Sequence, residues 1–153
     1  MANLDLPDNI LLSLSHVLQQ LQQSLPALKQ ETDFSAIAFK WQDRQLIAIQ
    51  QPRKIDLDDL KGIEKQKEKV IQNTLQFLNG LPANDVLLTG SRGTGKSSIV
   101  RALLTEYANQ GLRLIEIERD DLSELPEIQK IIQHRPEKFI VYCDDLAFNA
   151  EDE

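Results

Sequence analysis

Residues 90–97 read Gly90-Ser91-Arg92-Gly93-Thr94-Gly95-Lys96-Ser97, which fits the pattern G-x-x-x-x-G-K-[ST] of a phosphate-binding loop. The glycines permit backbone conformations that residues with a Cβ avoid, so that successive N–H groups can turn around a polyphosphate. Lys96 is placed to reach the β- and γ-phosphates, and the Ser97 hydroxyl to bind the Mg²⁺ that accompanies the nucleotide. The stretch therefore predicts a nucleotide site made of these residues and Ser98.

The residues on either side of this loop suit a strand before it and a helix after it. Residues 85–89 form a short apolar run of the kind found in buried parallel strands. Beyond the loop, apolar residues recur at helical spacing until Gly111 interrupts the pattern. We therefore expect strand, loop and helix in that order. Arg92 could contact a phosphate or face solvent, and the sequence leaves both interpretations open.

A second apolar run, residues 139–143, ends in the two carboxylates Asp144 and Asp145. Ligands of parallel sheets bind outside the carboxyl ends of the strands, where both the loop and this pair would lie. We expect Asp144 to bind Mg²⁺, directly or through water. We assign catalytic roles to Asp145, which would orient or deprotonate an attacking water, and to Lys96. The alternative is that both carboxylates cap the loop that follows.

The rest of the chain alternates between helical and strand patterns, which indicates a parallel α/β sheet flanked by helices. Residues 8–25 carry the apolar stripe of an amphipathic helix, which packs on the chain's own core or receives a partner. Two short strand-like runs then predict a hairpin. A boundary near Pro52 divides the chain into an accessory segment, residues 1–53, and a P-loop domain, residues 54–153. The further elements expected are the hairpin strands at 36–41 and 45–50, helices near 63–78 and 124–134, and a strand at 112–118.

Composition excludes several classes of protein. Hydrophobic residues make up 41% and charged residues 27%, a balance typical of globular domains. The net charge is −7 and the 17 Lys and Arg residues are scattered, which argues against a nucleic-acid surface. No stretch has the length and apolar character of a membrane span, and the first residues do not resemble a signal peptide, so we expect a cytoplasmic protein. Cys143 is the single cysteine and is expected to be a small buried apolar residue.

With these motifs placed, the chain resembles the AAA+ superfamily, and more closely a bacterial family of predicted ATP-binding proteins, the domain-of-unknown-function 815 family. The resemblance covers roughly residues 55–148 and is specific as a set of short stretches. It implies ATP rather than GTP, residues 90–97 as the Walker A loop and residues 139–145 as the Walker B strand. It also implies an adenine pocket lined by residues 55–63, including Ile55, Leu60 and Gly62. The stretches that carry it are Leu57–Gly62, Gln66–Glu68, Asn73-Thr74, Pro82–Asn84, Gly90–Ser98, Gly111–Glu116 and Cys143–Leu146.

The resemblance implies an ATPase that binds Mg·ATP and couples its hydrolysis to a conformational change, with a protein partner or a second copy of the chain. The general AAA+ pattern has Glu as the second Walker B acid, and Asp145 is one methylene shorter. The sequence ends before the sensor strand, arginine finger and helical lid of the superfamily, so we expect a sheet truncated after the Walker B strand and a chain deficient in hydrolysis. The alternative function is a nucleotide-gated protein-interaction module without turnover.

Overall fold

The computed structural model describes residues 31–91 and 93–144, together with Ile10, Ser13, His16 and Val17. The chain divides into two compact units, Met1–Glu31 and Thr32–Glu153. In the first unit, Ile10, Ser13, His16 and Val17 are helical, and most of the amphipathic helix predicted over residues 8–25 lies outside the described residues. The apolar stripe of that helix therefore stays a prediction.

The second unit contains a four-stranded mixed sheet in the order β2-β1-β3-β4. Strands β1 (Ala38–Gln42) and β2 (Gln45–Ala48) pair antiparallel and confirm the predicted hairpin. β1 also pairs in parallel with β3 (Leu112–Ile117), which pairs in parallel with β4 (Lys138–Cys143). The hairpin thus belongs to the same sheet as the strand that leads to Asp144. A separate role for it as part of an accessory segment stays a prediction.

Within the described residues, three α-helices accompany the sheet: α1 (Glu64–Leu78), α2 (Lys96–Tyr107) and α3 (Leu125–Ile132). Pro126 lies in the first turn of α3, where its missing N–H breaks no helical hydrogen bond. After α2, Gly111 takes a φ of +93°, the left-handed conformation that commonly ends a helical segment. The predicted helices are confirmed at these positions. Short 3₁₀ helices cover Leu57–Asp59, Ala108–Gln110 and Arg119–Glu124.

Alternating side chains of the strands divide the core into two clusters, one on each face of the sheet. On one face, Ala38, Leu112 and Leu114 pack with the buried residues of α1 and α2. On the other face, Phe39, Trp41, Leu46, Ile115 and Ile117 pack with Ile128 of α3. Trp41 is 1% exposed and is therefore a core residue. The sheet is therefore covered by helices on both faces.

The strand predicted over residues 85–89 is wrong. Residues 82–90 have no regular secondary structure, and Val86 and Leu87 are 49% and 65% exposed. An apolar run becomes a strand only where a neighbouring strand satisfies its backbone hydrogen bonds, and none of the four described strands pairs with it. The segment is instead attached to α1. The Asn73 Nδ2 donates to the Asn84 carbonyl at 2.8 Å, and the Asn84 N–H donates to the Asn73 Oδ1 at 2.9 Å.

Candidate functional site

The glycine loop, residues 90–97, adopts backbone angles that favour its glycines. Gly93 and Gly95 have φ angles of +84° and +87°, and Gly95 directly precedes α2. A Cβ on Gly90 would lie 3.0 Å from the Thr94 Oγ1. That hydroxyl donates to the Ser91 carbonyl at 2.8 Å and so closes the loop on itself. Arg92 lies outside the described residues, and its two alternative roles stay open.

Lys96, the first residue of α2, folds its side chain back over the loop. Its Nζ donates to the carbonyls of Gly90 at 2.8 Å and of Ser91 at 3.0 Å. Phosphate oxygens are stronger acceptors than carbonyl oxygens because they carry charge, so an anion at the loop can replace these two bonds. The ammonium is therefore held against the backbone of the glycine loop.

The beginning of α2 adds backbone donors to the same region. The Ile99 N–H donates to the Gly95 carbonyl at 2.9 Å. The N–H groups of Lys96, Ser97 and Ser98 precede this first full turn and have no acceptor within the helix. Together with the positive end of the helix dipole, they favour an anion next to the lysine.

Ser97 and Asp144 come together from two different elements. The Ser97 Oγ, in the first turn of α2, donates to the Asp144 Oδ2, just beyond β4, at 2.8 Å. Because the serine proton points at the carboxylate, the lone pairs of the Ser97 Oγ remain free to bind a cation. Hydroxyl and carboxylate oxygens are the donors that Mg²⁺ prefers, so these two residues fit the metal. Asp145 lies outside the described residues, and its role as a base stays a prediction.

Within the described ranges, no cluster of three or more His, Cys, Asp and Glu side chains is arranged to hold a metal. Mg²⁺ that travels with a nucleotide is bound by phosphate oxygens and water and takes only one or two ligands from the protein. The Ser97–Asp144 pair would supply ligands in this small number.

Tyr142 is a residue of the site that the sequence reasoning missed. It lies two positions before Asp144 and so projects from the same face of the sheet. Its hydroxyl is buried and has no hydrogen-bond partner of normal geometry among the described residues. Burial raises the pKa of Tyr142 to about 12, with smaller opposing effects from Ser97, which lowers it, and Asp144, which raises it. The signal available in the sequence was this alternation along the strand that ends at Asp144.

Cys143 projects to the opposite face and packs against the cluster that contains Ile115 and Ile128. Burial, with a smaller contribution from the charge of Asp144, raises the pKa of its thiol. A thiol with a raised pKa is a poor nucleophile, because the thiolate is the reactive form. The residue therefore acts as a small packing side chain, as expected.

The segment predicted to line an adenine pocket, residues 55–63, is attached to both neighbouring helices. The Ile55 N–H donates to the Thr105 Oγ1 of α2 at 3.3 Å. The Gly62 N–H donates to the Glu64 Oε1 in the first turn of α1 at 2.9 Å. These bonds hold the two ends of the segment.

Lys67 of α1 holds the middle of the same segment. Its Nζ donates to the Leu57 carbonyl at 2.9 Å and to the Leu60 carbonyl at 3.5 Å. Next to Leu60 in the chain, Ile63 reaches the glycine loop, since its Cδ1 lies 3.7 Å from where a Cβ on Gly95 would stand. The structure therefore places the predicted base-binding segment beside the predicted phosphate loop.

An open cleft of about 410 Å³ lies elsewhere, between α1 and residues 84–87. Half of its lining residues are uncharged polar ones, and it includes neither the glycine loop nor Ile55, Leu60 and Gly62. The cationic lysine and the helix N-terminus, which would attract a nucleotide, are both at the loop. The candidate site is therefore the loop and not the cleft.

Comparison with known proteins places the chain in a family. Residues 34–153 match the family model described as Protein of unknown function (DUF815). The chain belongs to this family. DUF815 is the family that the loop, the carboxylate pair and the flanking stretches resembled, and that prediction is confirmed. The match begins before the hairpin, so the hairpin strands are also part of the DUF815 region.

The chain is also 29% identical, over 84 residues, to the replication factor C large subunit of Methanococcus maripaludis. The aligned region covers 55% of this chain and 17% of that protein, so the chain spans only a small part of this relative. The similarity is consistent with an AAA+-related domain. No solved structure matches the chain. Among the described residues, no helix combines the length and the apolar character needed to cross a lipid bilayer.

Proposed function

We propose that this DUF815 chain binds Mg·ATP at the glycine loop. The observation that carries the proposal is the hydrogen bond from Ser97 to Asp144, which joins two residues 47 positions apart at 2.8 Å. A glycine-rich turn without a function would not need its serine hydroxyl on a carboxylate at the end of a sheet strand. The pair has the chemistry of a Mg²⁺ site directly beside a lysine that suits phosphate.

In this proposal the backbone N–H groups of residues 90–98 and the Lys96 ammonium bind the phosphates. Ser97 and Asp144 hold the Mg²⁺, which neutralises phosphate charge when it is bound. The segment with Ile55, Leu60 and Gly62 contacts the base. The AAA+ resemblance and the similarity to a replication factor C subunit support ATP as the nucleotide. A protein partner or a second copy of the chain, and hydrolysis coupled to a conformational change, are further parts of this proposal.

Nucleotide binding can be measured by titration calorimetry with ATP, at saturating Mg²⁺ and in EDTA. We expect Lys96→Ala to weaken Mg·ATP binding at least tenfold, because a hydrogen bond to a charged group contributes about 1.5–3 kcal/mol. Lys65→Ala, at an exposed position of α1, is the matched control and should bind as the wild type does. Equal affinities for Lys96→Ala and Lys65→Ala, with both variants folded by circular dichroism, would contradict the proposal.

Turnover is a separate question, which depends on Asp145. If the chain hydrolyses ATP, Asp145→Asn should lower the rate while leaving the affinity for Mg·ATP within about twofold, because the substitution removes a base and not a phosphate ligand. If the chain is a nucleotide-gated interaction module, Asp145→Asn leaves its function unchanged. Phosphate release measured on both proteins at saturating Mg·ATP separates these functions.

A further inference from the structure

The Tyr142 hydroxyl is buried and makes no hydrogen bond of normal geometry with the described residues, although Ser97 and Asp144 lie close enough to shift its pKa. The Arg113 Nε is the other such atom in that part of the chain, but the same guanidinium donates through its NH1 to the Ala108 and Leu112 carbonyls. Tyr142 has no second polar group that could compensate. A buried hydroxyl left unpaired is destabilising, and such groups in folded proteins call for an explanation.

The sheet places this hydroxyl next to the candidate metal site. Tyr142 and Asp144 project from the same face of the sheet because they are two residues apart. In the parallel register of β3 and β4, Tyr142 is the partner of Glu116. Tyr142 also packs against the cluster that includes Ile99, Val100 and Leu103 of α2. Its ring therefore lies between the sheet and the helix that begins at the loop.

Two polar residues of α2 face this region, and both already donate to carboxylates. Arg101 lies one turn after Ser97, on the same side of the helix. Its NH2 donates to the Glu116 Oε1 at 3.3 Å, so the neighbours of Tyr142 on that side form an ion pair with each other. On the other side, the Ser97 proton is directed to the Asp144 Oδ2. The unpaired hydroxyl is thus enclosed between an ion pair and the two residues that fit Mg²⁺.

We propose that Tyr142 is a positioning residue of the metal site, whose hydroxyl accepts a hydrogen bond from a water in the Mg²⁺ shell and donates a hydrogen bond to Asp144. Protein-bound Mg²⁺ usually keeps several waters, and each such water needs acceptors for its protons. An ionised carboxylate has about four acceptor sites, so Asp144 can accept a hydrogen bond from Tyr142 as well as the one from Ser97. This inference rests on the proposed function.

The proposal requires two effects of opposite sign when the hydroxyl is removed. Tyr142→Phe keeps the ring and deletes only the hydroxyl. Without nucleotide and Mg²⁺, the variant should therefore be as stable as the wild type or more stable. The Mg²⁺ site should at the same time lose an acceptor for its bound water. A purely structural role for the hydroxyl predicts the contrary, a less stable protein with unchanged Mg²⁺ dependence.

The experiment titrates ATP binding by calorimetry at a series of Mg²⁺ concentrations, and measures thermal unfolding without ligand. For Tyr142→Phe we expect at least a threefold rise in the Mg²⁺ concentration that gives half-maximal enhancement of ATP binding. Binding in EDTA should not change, and the unfolding temperature should not fall. Tyr107→Phe is the matched control, because Tyr107 is a buried tyrosine near the opposite end of α2. Its Mg²⁺ dependence should equal that of the wild type.

An unchanged Mg²⁺ dependence in Tyr142→Phe would overturn the inference, and so would a loss of stability in that variant. Either result leaves the proposed function standing if the wild type binds Mg·ATP more tightly than ATP in EDTA. If the wild type shows no binding of Mg·ATP, the proposed function fails and this inference fails with it. The wild-type titration therefore distinguishes the two failures.

Discussion

The hydroxyl of Ser97 lies 2.8 Å from the Asp144 Oδ2 and donates a hydrogen bond to it. Ser97 begins the helix after the glycine loop, and Asp144 follows the strand that forms one edge of the described sheet. Their contact therefore depends on how α2 packs against β3 and β4, through residues such as Leu103 and Leu114. The hydrogen bond between Ser97 and Asp144 therefore requires that the apolar residues of α2 stay packed against the sheet.

Ser97→Ala should remove the Mg²⁺-dependent part of ATP binding, because it deletes the hydroxyl that fits the metal. We expect ATP to bind this variant with similar affinity at saturating Mg²⁺ and in EDTA. Asp144→Asn keeps the shape of the side chain but removes its charge, and should weaken Mg·ATP binding at least tenfold, about 1.4 kcal/mol. Ser123→Ala, at an exposed position, serves as the control. Calorimetry that gives Ser97→Ala and Ser123→Ala the same Mg²⁺ response would disprove this assignment.

Lys67 should contribute to stability through the Leu57 and Leu60 carbonyls that it holds. Lys67→Met keeps the aliphatic part of the side chain and removes the donor, so we expect the free energy of unfolding to fall by about 1–2 kcal/mol. Lys65→Met, on the exposed side of the same helix, should change it by less than about 0.5 kcal/mol. Urea unfolding followed by the fluorescence of the single tryptophan measures both. Equal urea midpoints for the two variants would argue that the Lys67 hydrogen bonds to Leu57 and Leu60 do not stabilise the protein.

Trp41→Phe should be destabilising for two reasons. The side chain is 1% exposed, and its Nε1 donates to the Glu124 Oε2 at 2.6 Å. Phe leaves part of the space empty and removes this donor, so we expect a loss of about 1–3 kcal/mol in the free energy of unfolding. Glu124→Gln keeps an acceptor for the indole and should cost less. Circular dichroism during urea unfolding compares them, and a greater loss for Glu124→Gln would contradict this order.

The stability of the protein should depend on pH through Glu137. Arg135 donates to both carboxylate oxygens of Glu137, at 3.1 and 2.8 Å, and this hydrogen bonding holds the pKa of Glu137 below its ordinary value of 4.5. The Glu137 carboxylate binds a proton less readily in the folded protein than in the unfolded chain. Its contribution to stability is therefore present above about pH 4.5 and is lost as the pH falls through the lower pKa of the folded state.

Glu137→Gln should therefore flatten the decline of the unfolding free energy below pH 4.5, while Glu106→Gln, at an exposed position of α2, should leave it unchanged. The measurement is urea unfolding at a series of pH values from 7 to about 3. A wild-type slope that persists in Glu137→Gln would assign the acid sensitivity to other carboxylates.

The sequence predicted those elements whose pattern is local. The two short strand-like runs on either side of residues 42–44 predicted the hairpin, and the helical spacing after Lys96 predicted α2. Residues 85–89 have the composition of a strand, but strand formation depends on a neighbour, which composition does not supply. The reciprocal bonds between Asn73 and Asn84 that hold the preceding loop were equally hidden, because they join polar residues outside any periodic pattern.

The candidate site, like the fold, could be predicted only in part from the sequence. The glycine loop and Asp144 could be named because phosphate and Mg²⁺ demand particular residue types at particular spacings. Tyr142 was missed because tyrosine in an apolar strand is ordinary, and only the burial of its hydroxyl beside Ser97 and Asp144 distinguishes it. The attachment of residues 55–63 through Lys67 was likewise not foreseen, since a lysine on a helix usually faces solvent.

The parallel pairing of β1 with β3 also has a consequence for biosynthesis. Lys40 of β1 bonds to Glu118, 78 positions later, so the sheet edge of the hairpin has no partner when it leaves the ribosome. At 5–20 residues per second, that interval lasts roughly 4–16 seconds, during which the apolar side chains of Phe39 and Trp41 stay uncovered. Contacts between residues far apart in sequence form slowly, and strands of a nascent chain that are still unpaired are prone to aggregate. The hairpin is thus a part of the nascent chain that is exposed to aggregation until β3 is made.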